Sequence, residues 1–175
     1  ARADHLNEDQ LYSLNNKAHL FAVQHGARLV LDMLREYGFQ PLSGRKILEV
    51  GCGKGGVLLE YLSFGAYAMN LHGCDLLPER IRQARRQLPS RLALTVANGQ
   101  SLPYPSRFFD LVLQYTVFSS ILSEAIRFDL ASEMIRVLRP GGMILWYDFW
   151  LNPTNPHTRG IRPSEVRHLF PACDV

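Results

Sequence analysis

Cysteine is scarce in this chain of 175 residues: Cys52, Cys74 and Cys173 are the only three, and none stands in Cys-x-x-Cys spacing. So odd and scattered a set argues against a disulfide framework or a zinc site, and it fits a reducing, cytoplasmic compartment. Long apolar runs are missing too. The most apolar stretch, MILWYDFWL from Met143 to Leu151, is too short to cross a bilayer and contains Asp148. The polar opening, ARADHLNEDQ, has none of the features of a secretory signal. Charge of one sign does not accumulate either. A net charge of +3 and a pI near 8.9 are too mild to commit the chain to nucleic acid. Internal repeats, low-complexity tracts and Gly/Ser linkers are likewise absent, so nothing marks a second large domain.

What is present is enough for one substantial core, with 47% hydrophobic and 20% charged residues. Asn7 to Tyr37 reads as helical, as one helix or as two divided near Gly26, with a stop at Gly38. From Lys46 the period changes. Strands are expected at Lys46–Val50, Asn70–Cys74, Leu92–Ala97, Asp110–Gln114 and Met143–Tyr147, and helices at Gly55–Phe64, Pro78–Leu88 and Glu124–Leu138. Gly65 suits the end of the first of these helices and Pro78 the first turn of the second. Such alternation predicts a doubly wound α/β domain with a mostly parallel sheet. Ser164 reads as the N-cap of a short helix running to Phe170. The chain stops where a further strand is expected, so the last strands of the sheet are expected to be missing. The division expected is a helical cap or lid over 1–38 and a ligand-binding α/β domain over 39–175.

The stretch ILEVGCGKGG, Ile47 to Gly56, carries the chemistry. Gly51, Gly53 and Gly56 spell the Gly-x-Gly-x-x-Gly of dinucleotide sites, in a loop between the first strand and first helix. In a doubly wound sheet that is where ligands bind. Glu49 speaks against a pyrophosphate: a carboxylate at the loop repels phosphate and attracts an ammonium group. Asp75, closing the second strand, stands where an acid accepts hydrogen bonds from ribose hydroxyls. NAD and S-adenosylmethionine both offer that contact, so Asp75 does not choose between them. Asn98, Gly99 and Gln100 come after the third strand, and RPGG leads into the fifth.

Together, EVGCGKG, GCD, the Asn98–Gly99 pair and VLRPGGMILWYDF resemble the class I S-adenosylmethionine-dependent methyltransferases of the type 11 kind, over Lys46 to Phe149. That resemblance implies roles for individual residues. By it, Glu49, Gly51, Cys52, Gly53 and Gly55 surround the methionine part of the cofactor. Asp75 binds the ribose and Leu76 packs on the adenine. Asn98 and Gly99 replace an Asp-Ala-like pair facing the adenine amino group; asparagine departs from the family, because an amide can donate as well as accept. Gln114 and Tyr115 reach the methyl-donor side. S-adenosylhomocysteine is the product.

The activity expected is methyl transfer to a small or medium-sized molecule by in-line displacement, which needs positioning more than a dedicated base. A noncatalytic S-adenosylmethionine-binding or interaction domain is the alternative. No catalytic group is identified; His157 is the one weak candidate for a base, and an ordinary loop residue is the favoured reading of it. Tyr12, Asn15 and His19 share a face of the N-terminal helix by their helical spacing, and either a lid over the cofactor or a surface helix accounts for them. The five arginines between Arg80 and Arg91 read as a solvated helix face. No metal and no membrane partner is expected, and the oligomeric state is left open.

Overall fold

The computed structural model describes Ser13, residues 15–150 and residues 159–174. Tyr12 and His157 lie outside the described residues. The chain divides into two units, Ala1–Gln40 and Pro41–Val175.

In the first unit, α1 spans Lys17–Glu36. The Asn16 side chain accepts from the Ala18 and His19 amides at 3.1 and 3.4 Å, supplying the partners that a helix start lacks. Of the two readings at Gly26 the single helix holds, since one glycine costs about 1 kcal/mol and leaves the hydrogen-bond ladder whole. One expectation is corrected here. Asn15 stands in a turn ahead of the cap, its amide donating to Ser13 Oγ at 3.1 Å, so it shares no helical face with His19.

The second unit holds strands β1 (Ile47–Val50), β2 (Leu71–Asp75), β3 (Ala93–Val96), β4 (Phe109–Tyr115) and β5 (Leu138–Tyr147). All pair in parallel, in the order β3-β2-β1-β4-β5. Helices α2 (Gly56–Ser63), α3 (Pro78–Gln87), α4 (Glu124–Val137) and α5 (Pro163–Leu169) flank the sheet. Strand β1 is buried throughout, as is β4 up to Gln114, which is why both read as nearly unbroken apolar runs. Gly65 and Pro78 sit where expected, past the end of α2 and in the first turn of α3. At α5 the cap is Arg162 rather than Ser164. The reason is Pro163 at the first helical position, with Glu165 reaching back to accept the Arg162 amide at 3.0 Å.

The fifth strand starts earlier than the apolar pattern suggests. Phe109 pairs with Leu138, Leu111 pairs with Met143, and Arg139–Gly142 bulge out between them. Glycine is required at 142, because a Cβ there would stand 2.9 Å from the carbonyl oxygens of both Arg139 and Asp110. Asp110 ties this end of the sheet together. Its buried carboxylate accepts the Lys46 amide at 2.8 Å and pairs with Arg45 at 3.4 Å and with Arg139. Both arginines are partly exposed and stay solvated without it, so we expect Asp110→Ala to lower stability by about 1–3 kcal/mol in urea denaturation. Cofactor binding should be unaffected, since Asp110 lies at the opposite end of the strands.

Candidate functional site

The strand order reverses between β1 and β4, and the crevice beyond their carboxyl ends is where this architecture places ligands. The loop leaving β1 is pinned to its neighbour. The amides of Gly51 and Cys52 both donate to the Cys74 carbonyl, at 2.8 and 2.9 Å, and the Gly53 amide donates to Asp75 Oδ2 at 2.9 Å. Gly51 holds φ +75°, and a Cβ there would strike the Val117 side chain. No other residue fits both requirements. Gly55, at φ +88°, is the N-cap of α2.

Beyond this loop lies a cavity of about 500 Å³. Gly51, Asp75, Leu76, Asn98 and Gly99 line it, so five of the residues singled out in the sequence meet there. Asp75 is buried; besides Gly53, it accepts the Leu77 amide at 2.9 Å and has Arg80 at 3.6 Å. A carboxylate has about four acceptor positions, so two remain for a ligand. Leu76 is mostly exposed at the mouth of the cavity. Asn98 closes a tight turn, its Oδ1 accepting the Gln100 amide at 3.0 Å.

The remaining candidates gather deeper, at the base of the loop. Glu49 is 2% exposed, and its Oε2 has no hydrogen-bond partner. Burial pushes its pKa up to about 8, with Asp75 and then Glu60 adding to the effect; only the Leu58 amide opposes it. Among the described residues, none of the groups acting on Glu49 is cationic. Gln114 is fully buried; its amide nitrogen meets Asp148 at 3.4 Å, while its Oε1 is unpartnered. The Tyr115 hydroxyl is also buried, with the Tyr61 hydroxyl as its neighbour, and burial raises its pKa, keeping it a neutral phenol. Cys52 gives its backbone to the loop, but its side chain lies in the core rather than in the cavity. Burial, then the charge of Glu49, raises its thiol pKa, so it is not a nucleophile.

Sequence reasoning missed the far wall of the cavity. Val117, Ile121, Leu122, Ile126 and Leu130 form it, from the turn after β4 and the start of α4. In the sequence they are indistinguishable from core residues. Only the exposure of Leu122 and Ile126, at 62% and 38%, separates them. Asp148 is accounted for structurally: it accepts the amides of Ser119 and Phe149 at 3.1 and 2.9 Å.

A doubly wound parallel sheet, an acid before a glycine loop and a second acid closing β2 define an adenosine-cofactor-binding domain. Comparison with known proteins narrows the class. Residues 47–142 match a family model described as a methyltransferase domain, and the chain belongs to the class I S-adenosylmethionine-dependent methyltransferases. It is 38% identical over 116 residues to a phthiotriol/phenolphthiotriol dimycocerosates methyltransferase of Mycobacterium leprae, matching 65% of this chain and 40% of the relative. Over 180 residues it is 27% identical to norajmaline N-methyltransferase of Rauvolfia serpentina, matching 98% of this chain and 60% of the relative. The chain therefore spans about half the length of these relatives. Among solved structures, the YcgJ protein of Bacillus subtilis shares the fold with a TM-score of 0.67 at 18% identity, over 85% of this chain and 67% of that one.

Proposed function

We propose that this chain binds S-adenosylmethionine and forms the catalytic core of a methyltransferase acting on a small apolar molecule. The observation that carries the reading is the orphaned, buried carboxyl of Glu49. It sits with a second acid and the neutral phenol of Tyr115, and no cation among the described residues neutralises it. A pyrophosphate would be repelled there, whereas an amino acid cofactor supplies the missing cation. The fit extends outward. Asp75 has acceptor positions left for ribose hydroxyls, Leu76 offers an apolar face for the base, and the Asn98–Gly99 turn borders the same cavity.

When bound, S-adenosylmethionine supplies an activated methyl group on sulfur. The chain's own contribution is positioning: it holds the donor in the pinned loop and keeps water from the buried polar cluster. The acceptor side is framed by aromatic groups at the end of β5. Tyr147 stacks on Tyr115 with centroids 5.6 Å apart, and Phe149 and Trp150 stand exposed beside it. Such a surface suits an apolar acceptor, in keeping with relatives named for phthiotriol dimycocerosates and norajmaline. The three free cysteines suit a reducing, cytoplasmic compartment.

Calorimetric titration with S-adenosylmethionine, S-adenosylhomocysteine and NAD tests the reading. Binding of the first two in the micromolar range, without NAD, is the expected result; NAD alone binding would overturn it. Transfer of labelled methyl to a panel of apolar hydroxy and amino acceptors then separates an enzyme from a binding domain.

A further inference from the structure

Among the described residues, two that are not glycine hold a left-handed backbone, Arg107 and Thr116, each at φ +57°. Arg107 precedes β4, at the end of that strand away from the cavity. Thr116 follows β4 and stands between Tyr115 and the cavity-lining Val117. It is also β-branched, the kind of side chain that this conformation accommodates worst. Such a backbone persists only where its surroundings impose it. Two hydrogen bonds do so here. The Thr116 amide donates to the Tyr147 carbonyl at 2.8 Å, a last rung to β5, and the Thr116 carbonyl accepts Ser120 Oγ at 3.2 Å.

The conformation decides where the neighbours go. An extended residue at 116 would carry β4 further along β5 and swing Val117 away from the glycine loop. The left-handed one turns the chain out of the sheet, and Val117 resumes ordinary helical angles, φ −93° and ψ −48°. The Val117 side chain then fills the place where a Cβ on Gly51 would stand. Ser120 and Ile121, from the same turn, line the cavity beside it. On the strand side, Tyr115 stays in register with Tyr147, and their rings stack with centroids 5.6 Å apart. One residue therefore joins the wall of the donor loop to the aromatic pair on the acceptor side. Glycine would hold the same angle without crowding, but it also admits the conformations through which Val117 leaves Gly51. Threonine has far fewer of those conformations open to it.

We infer that Thr116 is a positioning residue: its strained backbone holds Val117 against the cofactor loop and Tyr115 on the acceptor side, so that stability is given up for a preset site. This role rests on the proposed S-adenosylmethionine reading, which puts the donor in the Gly51 loop. The strain itself is a property of the chain without ligand. Thr116 acts through its neighbours and needs no contact with the cofactor.

Three variants test this, each followed by urea denaturation without ligand and by calorimetric titration with S-adenosylhomocysteine. Thr116→Asn is the conservative change, because asparagine enters the left-handed region readily. Its folding equilibrium constant should rise about three- to tenfold, and its affinity should stay within about twofold of wild type. Thr116→Gly keeps the angle available but loosens the turn. Its affinity should fall about three- to tenfold, as the binding-competent fraction falls, while its stability does not drop in proportion. A residue that served only the fold would instead move stability and affinity together. Thr116→Pro fixes φ near −65° and removes the amide that Tyr147 accepts, so affinity should fall by more than about a hundredfold. Circular dichroism checks that the proline chain folds; if it does not, the asparagine and glycine chains decide. An asparagine variant less stable than wild type overturns the strain. Wild-type affinity in Thr116→Gly, or in a folded Thr116→Pro, overturns the positioning role and leaves the cofactor reading standing. Failure of the wild-type chain to bind S-adenosylhomocysteine overturns the cofactor reading and the role that rests on it.

Discussion

Replacing Glu49 by glutamine should make the cofactor-free chain more stable at pH 8 by about 2–4 kcal/mol, leave it little changed near pH 4, and weaken S-adenosylmethionine binding by about ten- to a hundredfold. The sign comes from proton linkage. An unfolded glutamate titrates near 4.5, whereas the folded site titrates at about 8. Between those values the folded chain keeps a proton that the unfolded chain has released. The contribution of Glu49 to stability is therefore greatest below pH 4.5 and declines as pH rises toward 8, where the carboxylate is buried as a charge. The gap between 4.5 and about 8 corresponds to at most about 5 kcal/mol, at ~1.36 kcal/mol per pH unit. Glutamine removes the titration but leaves a polar amide short of partners, which holds the gain below that ceiling.

The same linkage governs binding. A cationic ligand favours the ionised carboxyl, so binding near pH 6.5 should expel about one proton, and affinity should climb up to pH 8. Urea denaturation of wild type and Glu49→Gln at pH 5, 6.5 and 8 measures the first effect. Calorimetry in two buffers of different ionisation enthalpy measures the second. Parallel stability profiles, or binding without proton release, would contradict the role given to Glu49.

Asp75→Ala should reduce S-adenosylmethionine affinity by about 2–4 kcal/mol, roughly thirty- to a thousandfold. Two losses add up. One is the pair of acceptor positions left for the ribose. The other is the tie that holds the glycine loop, because Asp75 accepts the Gly53 and Leu77 amides at 2.9 Å each. Amide hydrogen exchange at Gly53 and Leu77 reports the second loss without ligand, and titration calorimetry reports both. Asp75→Asn retains one acceptor oxygen and should fall between. Unchanged affinity in Asp75→Ala would remove the ribose from this residue even if the loop loosens.

Local chemistry wrote much of this protein openly into its sequence. The apolar runs ILEV and FDLVLQ announce strands buried on both faces. Gly65 and Pro78 punctuate helices through backbone conformations that other residues adopt poorly, and Gly51 and Asp75 are legible because they stand at strand ends. Features that depend on competing or distant partners were not legible. The first turn of α5 escapes a reading by type alone, because Pro163 and Glu165 outweigh the intrinsic capping preference of Ser164. The bulge at Arg139–Gly142 arises from the pairing of β5 with β4, which no pattern within either strand specifies.

The site divides the same way. Residue types and spacing established the glycine loop, its acid and the ribose-side aspartate, because each works through its own backbone or immediate neighbours. Tertiary structure decided that Glu49 is sealed from water with an oxygen unpaired and that Val117 presses on Gly51. These contacts join segments that the parallel sheet brings together only through long crossovers. Burial and pairing belong to the packed chain, and no local stretch carries them.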